Sequence, residues 1–194
     1  MKLQRIVKVG NITNLSDARY CAGMGVHLLG FNAIESRPGY LPSETFQEFR
    51  GWFAGPSIVV EAYGLPDSQT LHTIMRNYLP DFIELSVNEL SLIDLPSLAL
   101  IVSSDGLPVE QLLAKLAPVH TQVAWVQAED TMPVSYLNEL AGHYPVLLRL
   151  NGPLTTDYTN YPVKGFALVG STEEKPGLKS YDHLAAVLEQ LEED

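Results

Sequence analysis

Three ionic side chains interrupt apolar runs that would otherwise read as buried strands. They are Glu61 in Ile58-Val-Val-Glu-Ala62, Glu84 in Phe82-Ile-Glu-Leu-Ser86, and Arg149 in Val146-Leu-Leu-Arg-Leu150. An ion in such a run needs a partner or a polar cavity, because burying a lone charge is prohibitive. Glutamates so placed are candidate proton carriers. An arginine facing the same space can neutralise a carboxylate or hold an anionic substrate. The same residues also read as a structural ion pair that plugs the interior. The turn Gly170-Ser-Thr172, after the last apolar run, is a second candidate. Its backbone N–H groups and two hydroxyls can cradle a phosphate, and a plain capped turn is the alternative.

Other chemistries find little support. The histidines at 27, 72, 120, 143 and 183 form no ligand-spaced set with a carboxylate, so no metal site is expected. Cys21, the only cysteine, lies among Ala18, Ala22 and Met24 and reads as a small buried hydrophobe. It excludes an intrachain disulfide framework and a cysteine-based zinc site. Neither G-x-S-x-G nor G-x-x-x-x-G-K-[ST] occurs, and no cofactor is expected. Twelve Lys and Arg against 23 Asp and Glu give a net charge of −11, which repels nucleic-acid backbones and anionic membranes. A small anionic metabolite remains compatible with that charge, since backbone N–H groups can bind it. The start, MKLQRIVKVGN, has no apolar signal core, and no run reaches spanning length, so a soluble cytoplasmic protein is expected.

The elements that must position these residues alternate regularly. Strand-like runs begin at Arg5, His27, Ser57, Phe82, Leu98, Gln122, Val146 and Gly165. Helical patterns follow most of them, including Asn14 to Met24 with an Asn14 cap, and Ser43 to Phe53 with Phe46, Phe49 and Phe53 on one face. The connections after the fourth and seventh runs, Asn88 to Leu95 and Leu154 to Tyr161, read as trimmed. Parallel strands need crossovers of this kind. Eight such units predict a single compact (β/α)8 TIM barrel over residues 1–194, with an open doubly wound sheet as the rival. In a barrel, the site forms at the carboxyl ends of the strands. That collects Asn11, Asn32, Glu61, Tyr63, Glu84, Ser86, Ser103, Asp105, Gln127, Glu129, Arg149 and Gly170.

Both ends of the chain carry a resemblance. Val7-Lys-Val-Gly-Asn-Ile-Thr-Asn-Leu-Ser-Asp-Ala18, Gly25-Val-His-Leu-Leu-Gly-Phe31, Arg37-Pro-Gly-Tyr-Leu-Pro-Ser-Glu44 and Val169-Gly-Ser-Thr-Glu-Glu-Lys-Pro-Gly-Leu-Lys179 resemble, in order, motifs of the phosphoribosylanthranilate isomerases of tryptophan biosynthesis. Between residues 65 and 160 only the strand order matches. The resemblance implies an Amadori rearrangement, with a Cys after the first strand as base and an Asp after the sixth as acid. Here Gly10 stands at the Cys position and Gln127 at the Asp position. Gly39 falls where the family places its anthranilate-binding Arg, and Arg37 lies two residues earlier.

Neither glycine nor a neutral amide exchanges protons usefully. The expectation is therefore an isomerase-like barrel that has lost the family's catalytic pair and its isomerase activity. The alternative is an active isomerase for phosphoribosylanthranilate or another phosphosugar, with Glu61 and Glu84 as substitute proton carriers. In either case Asn11, Asn32, Arg37 and Arg149 line the pocket, and Gly170, Ser171 and Thr172 hold phosphate. The ligand is a small anionic phosphosugar, if any, and the chain is a monomer or homodimer. A degenerate barrel predicts a Glu61/Glu84–Arg149 ion cluster in the substrate volume.

Overall fold

The computed structural model describes residues 2–95, 97–154, 160–170 and 181–193. Eight strands close a parallel barrel in sequence order: β1 (Ile6–Gly10), β2 (Leu28–Asn32), β3 (Ser57–Glu61), β4 (Phe82–Ser86), β5 (Ala99–Ser103), β6 (Val123–Glu129), β7 (Val146–Arg149) and β8 (Gly165–Val169). Closure comes from β1 pairing with β8 from Ile6↔Gly165 to Gly10↔Val169. The eight-unit reading therefore holds, and the open sheet is excluded.

Six α-helices are described: α1 (Leu15–Gly23), α2 (Ser43–Arg50), α3 (Ser68–Tyr78), α4 (Val109–Leu116), α5 (Val134–Ala141) and α6 (Asp182–Gln190). The Asn14 side chain caps α1 by accepting from the Asp17 N–H at 2.9 Å, as its sequence spacing predicts. Asp67 caps α3 in the same way through Thr70 N–H. The β4-to-β5 connection is built from turns, and no α-helix occurs among the described residues between β7 and β8. These are the two crossovers that read as trimmed.

Two apolar layers follow from the pleat, which sends alternate side chains to opposite faces. Outside the barrel, Phe31 packs against Phe46, Phe49 and Phe53 of the α2 segment, the Phe31–Phe46 rings meeting edge to face at 5.0 Å. Cys21 is fully buried in this outer layer. Inside, Leu28, Val59, Ile101, Leu147 and Ala167 fill the barrel, with Ile6, Phe82 and Trp125 packed below them. One strand departs from regular pleating. Leu100 pairs with Val123 but Ile101 pairs with Trp125, so β6 carries one extra residue, Ala124. This bulge breaks the alternation: Val123 belongs to the outer layer and Trp125 packs against the inner one.

Candidate functional site

The inner residues above the apolar plug are polar, and they come from inward positions in the carboxyl-terminal part of the barrel strands. Lys8, Glu61, Glu84, Ser103 and Gln127 lie on β1, β3, β4, β5 and β6. The pairing Glu61↔Glu84 places the two glutamates side by side on adjacent strands. Above them opens a cavity of about 810 Å³ at the carboxyl ends of the strands, lined also by Asn11, Asn32, Arg37, Tyr63, Asp105 and Arg149. Sequence reading had gathered nearly all of these residues to one mouth.

A lysine that the sequence reading left unremarked holds the centre. Lys8 Nζ lies 2.6 Å from Glu61 Oε1 and 2.7 Å from Glu84 Oε2. The side chains of Lys8, Glu61 and Glu84 retain 4%, 13% and 2% of their exposure. The other oxygens are also satisfied: Tyr63 Oη donates to Glu84 Oε1 at 2.5 Å, and the Asn11 N–H donates to Glu61 Oε2 at 3.1 Å. Asn11 reaches that carboxylate from a left-handed backbone conformation, φ 55°. Burial opposes the Lys8 ammonium, but the charges and hydrogen bonds of both glutamates outweigh it and hold its pKa above the ordinary lysine value. Burial pushes Glu84 up, Lys8 pulls it back and neighbouring Glu61 adds to the rise. Burial, together with Glu84, raises the Tyr63 phenol well above the usual tyrosine range.

The expected partner of the glutamates was Arg149, and that expectation is corrected. Arg149 Nη1 faces Glu129 at 3.6 Å, from the mouth-facing end of β7. The register explains the exchange: Arg149 stands opposite Glu129 on β6. Lys8, deeper on β1, supplies the buried countercharge instead. Strand Arg5-Ile-Val-Lys-Val9 shows the same interruption by an ion that drew attention to Glu61, so a signal existed. A lysine at a strand's middle carries a pattern that fits a solvent-facing position equally well, and only closure of the barrel turns it inward.

A side chain at Gly10 would require the Glu61 carboxylate to move. A Cβ built there would overlap Glu61 Oε1 and lie 2.9 Å from Lys8 Nζ. A Cβ on Gly30 would overlap the same oxygen, so the Glu61 carboxylate lies across two glycines on neighbouring strands. Gly39 is closed in a different way: its φ is +78°, and a Cβ would overlap Asn11 Oδ1. The arginine implied by resemblance at that position would be strained in this backbone and would displace the Asn11 side chain. Arg37 nevertheless lines the mouth, its guanidinium 5.7 Å from the centre of the Tyr63 ring. Its guanidinium has no carboxylate partner among the described residues.

Gln127 also lines the mouth. It is buried, and its Oε1 has no hydrogen-bond donor among the described residues. Asn32 is turned toward its own loop, with Nδ2 donating to the carbonyls of Arg37 and Pro38. The Gly170 N–H donates to the Gly10 carbonyl at 2.8 Å and so extends the β1–β8 ladder. Ser171 and Thr172 lie outside the described residues. Among the described residues, no group of three or more His, Cys, Asp or Glu is placed to hold a metal ion, and no helix is long and apolar enough to cross a membrane.

A closed parallel barrel with a polar pocket at its carboxyl end defines the TIM-barrel class. Within that class, the chain is similar to solved phosphoribosylanthranilate isomerases. One is the complex with reduced 1-(o-carboxyphenylamino)-1-deoxyribulose 5-phosphate, at TM-score 0.72 and 15% identity, covering 96% of this chain and 97% of that one. The enzyme from Thermus thermophilus superposes at 0.71 with 16% identity, over 96% and 98% of the two chains. Monomers of the dimeric enzyme from Thermotoga maritima give 0.71 and 14%, over 97% and 98%. No family model matches the sequence, and no curated protein matches it at a significant level. At these identities the likeness is one of fold.

Proposed function

We propose that this protein is an isomerase-like barrel that holds a small phosphosugar-class ligand in its mouth and does not carry out the phosphoribosylanthranilate rearrangement. One observation carries the reading: the Glu61 carboxylate occupies the space of a Gly10 side chain, and Lys8 and the Asn11 N–H hold it there. A base on β1 would have to displace that carboxylate. Across the mouth, Gln127 offers an amide where the rearrangement needs a titrating acid. The cavity itself stays open, and Arg37 and Arg149 face it outside the buried cluster, which favours retained binding of an anion over a purely structural barrel. Gly170, Ser171 and Thr172 are the proposed phosphate contacts.

A second reading has its own support. Because Glu61 Oε1 sits where a β1 base would project, Glu61 itself is the natural substitute base, with Glu84 as its proton partner. Assay of the purified chain with phosphoribosylanthranilate, beside a cysteine-containing isomerase, separates the two. No turnover is expected, and rates within tenfold of the control overturn the first reading. If turnover appears, Glu61→Gln abolishes it under the second reading. Introducing Gly10→Cys, Glu61→Ala and Gln127→Asp together is expected to create measurable isomerase activity where the wild type has none.

A further inference from the structure

The opposite end of the barrel carries a cavity of different character. It measures about 500 Å³ and is lined by Ile6, Val26, His27, Pro56, Phe82 and Trp125, with Ser57 at its side. No lining residue carries a formal charge at neutral pH. The apolar layer of Leu28, Val59, Ile101, Leu147 and Ala167 underlies Ile6, Phe82 and Trp125 and stands between this basin and the ionic mouth.

Two features set the basin apart from an ordinary barrel bottom. The first is Trp125. The extra residue Ala124 turns its side chain inward, two positions after the outward Val123, at the expense of a regular β5–β6 ladder. Bulges of this kind re-aim a side chain. The result is a half-buried indole and the half-buried ring of Phe82 on the same wall.

The second is the protonation of His27. Its Nδ1 accepts the Val7 N–H at 3.2 Å. In the neutral ring the proton must therefore sit on Nε2, which becomes a donor. Burial lowers the pKa of His27 below the ordinary histidine value, which keeps the ring neutral at pH 7. The one side-chain hydrogen bond of His27 is that at Nδ1, and His27 and Ser57 both line the basin. The basin thus sets aromatic walls beside two residues, His27 and Ser57, that carry a donor each.

We propose that this basin is a second binding site, for a small uncharged aromatic compound that carries one acceptor oxygen. Its volume lies in the usual range for small-molecule pockets, which pair apolar walls with few polar groups. A charged ligand would find no counter-ion here, and a ligand without an acceptor would leave both donors dry. The proposal does not depend on what the mouth binds.

The probe pair is acetophenone and ethylbenzene, alike in shape and differing by the carbonyl oxygen. Binding is read from NMR shifts of the Trp125 indole and His27 imidazole in the full chain, with Trp52→Phe leaving one tryptophan. Saturable shifts with acetophenone are expected, at least tenfold tighter than with ethylbenzene. His27→Asn keeps an acceptor for the Val7 N–H and replaces the Nε2 donor by a shorter amide that does not reach the same point, and is expected to reduce the preference below threefold. Absence of saturable shifts, equal affinity for the two probes, or an undiminished preference in His27→Asn overturns the proposal. Should His27→Asn fail to fold, the wild-type comparison and Ser57→Ala decide it by the same criteria.

Discussion

Lys8 and Glu84 form an ion pair of 2.7 Å across the barrel interior, from strands that are not neighbours. Both side chains are cut off from water, so each ion relies on the other for solvation. Glu61 and Tyr63 complete the set; Glu84 Oε2 meets the Lys8 ammonium as an ion contact and has no hydrogen-bond donor of its own. A pair like this adds little stability over well-packed apolar residues, yet losing one member is costly.

That asymmetry gives the first expected outcome. Lys8→Met leaves two carboxylates facing each other without a cation, and should cost about 3–5 kcal/mol in chemical denaturation. The double variant Lys8→Met/Glu84→Gln should recover part of the loss. Equal instability of the single and double variants would contradict the coupling.

The alkaline limb of the stability curve provides the second. The folded-state pKa of Lys8 is raised above its ordinary value of 10.5, so its contribution is fully present below that pH. It is lost as pH rises through the folded value. The buried Tyr63 phenol is raised as well and acts in the same direction above pH 10. Denaturation midpoints measured from pH 8 to 12 should fall more steeply for wild type than for Lys8→Met/Glu84→Gln.

On the acid side the sign reverses. His27 is lowered below its ordinary 6.5, so the unfolded chain takes up the proton first. Its share of stability is present above about pH 6.5 and disappears as pH falls through the folded value. His27→Asn removes the titrating ring and should flatten the slope of stability between pH 7 and 5. An unchanged slope would mean that other groups govern that limb.

Gln127 should behave against the usual trend for buried residues. Its Oε1 is buried without a donor, and a desolvated, unpartnered acceptor costs roughly 1–3 kcal/mol. Gln127→Met keeps most of the volume and removes that atom, so the variant is expected to be about 1 kcal/mol more stable than wild type. A destabilised variant would show that the amide is satisfied in solution.

Much of this molecule was legible in its residues, and for identifiable reasons. Strand order and closure followed from eight apolar runs, and the mouth followed from polar residues at the ends of those runs. The Phe46, Phe49 and Phe53 stripe and the Asn14 cap are local patterns, and both formed as read. What escaped is relational. Whether Glu61 meets Lys8 or Arg149 depends on stagger around a closed barrel, which no single strand encodes. The inward turn of Trp125 depends on a one-residue bulge that periodicity cannot place. The room denied at Gly10 depends on a side chain fifty-one positions away, at Glu61.

That last dependence sets the order in which this barrel can change. While residue 61 is a glutamate in this position, a side chain at 10 requires its carboxylate to swing aside, and one at 30 also meets the Gly10 backbone. Shortening residue 61 would clear that space but leave the ammonium of Lys8 with half its counter-charge. Room on the first strand and neutrality of the interior are thus exchanged for one another through a single carboxylate.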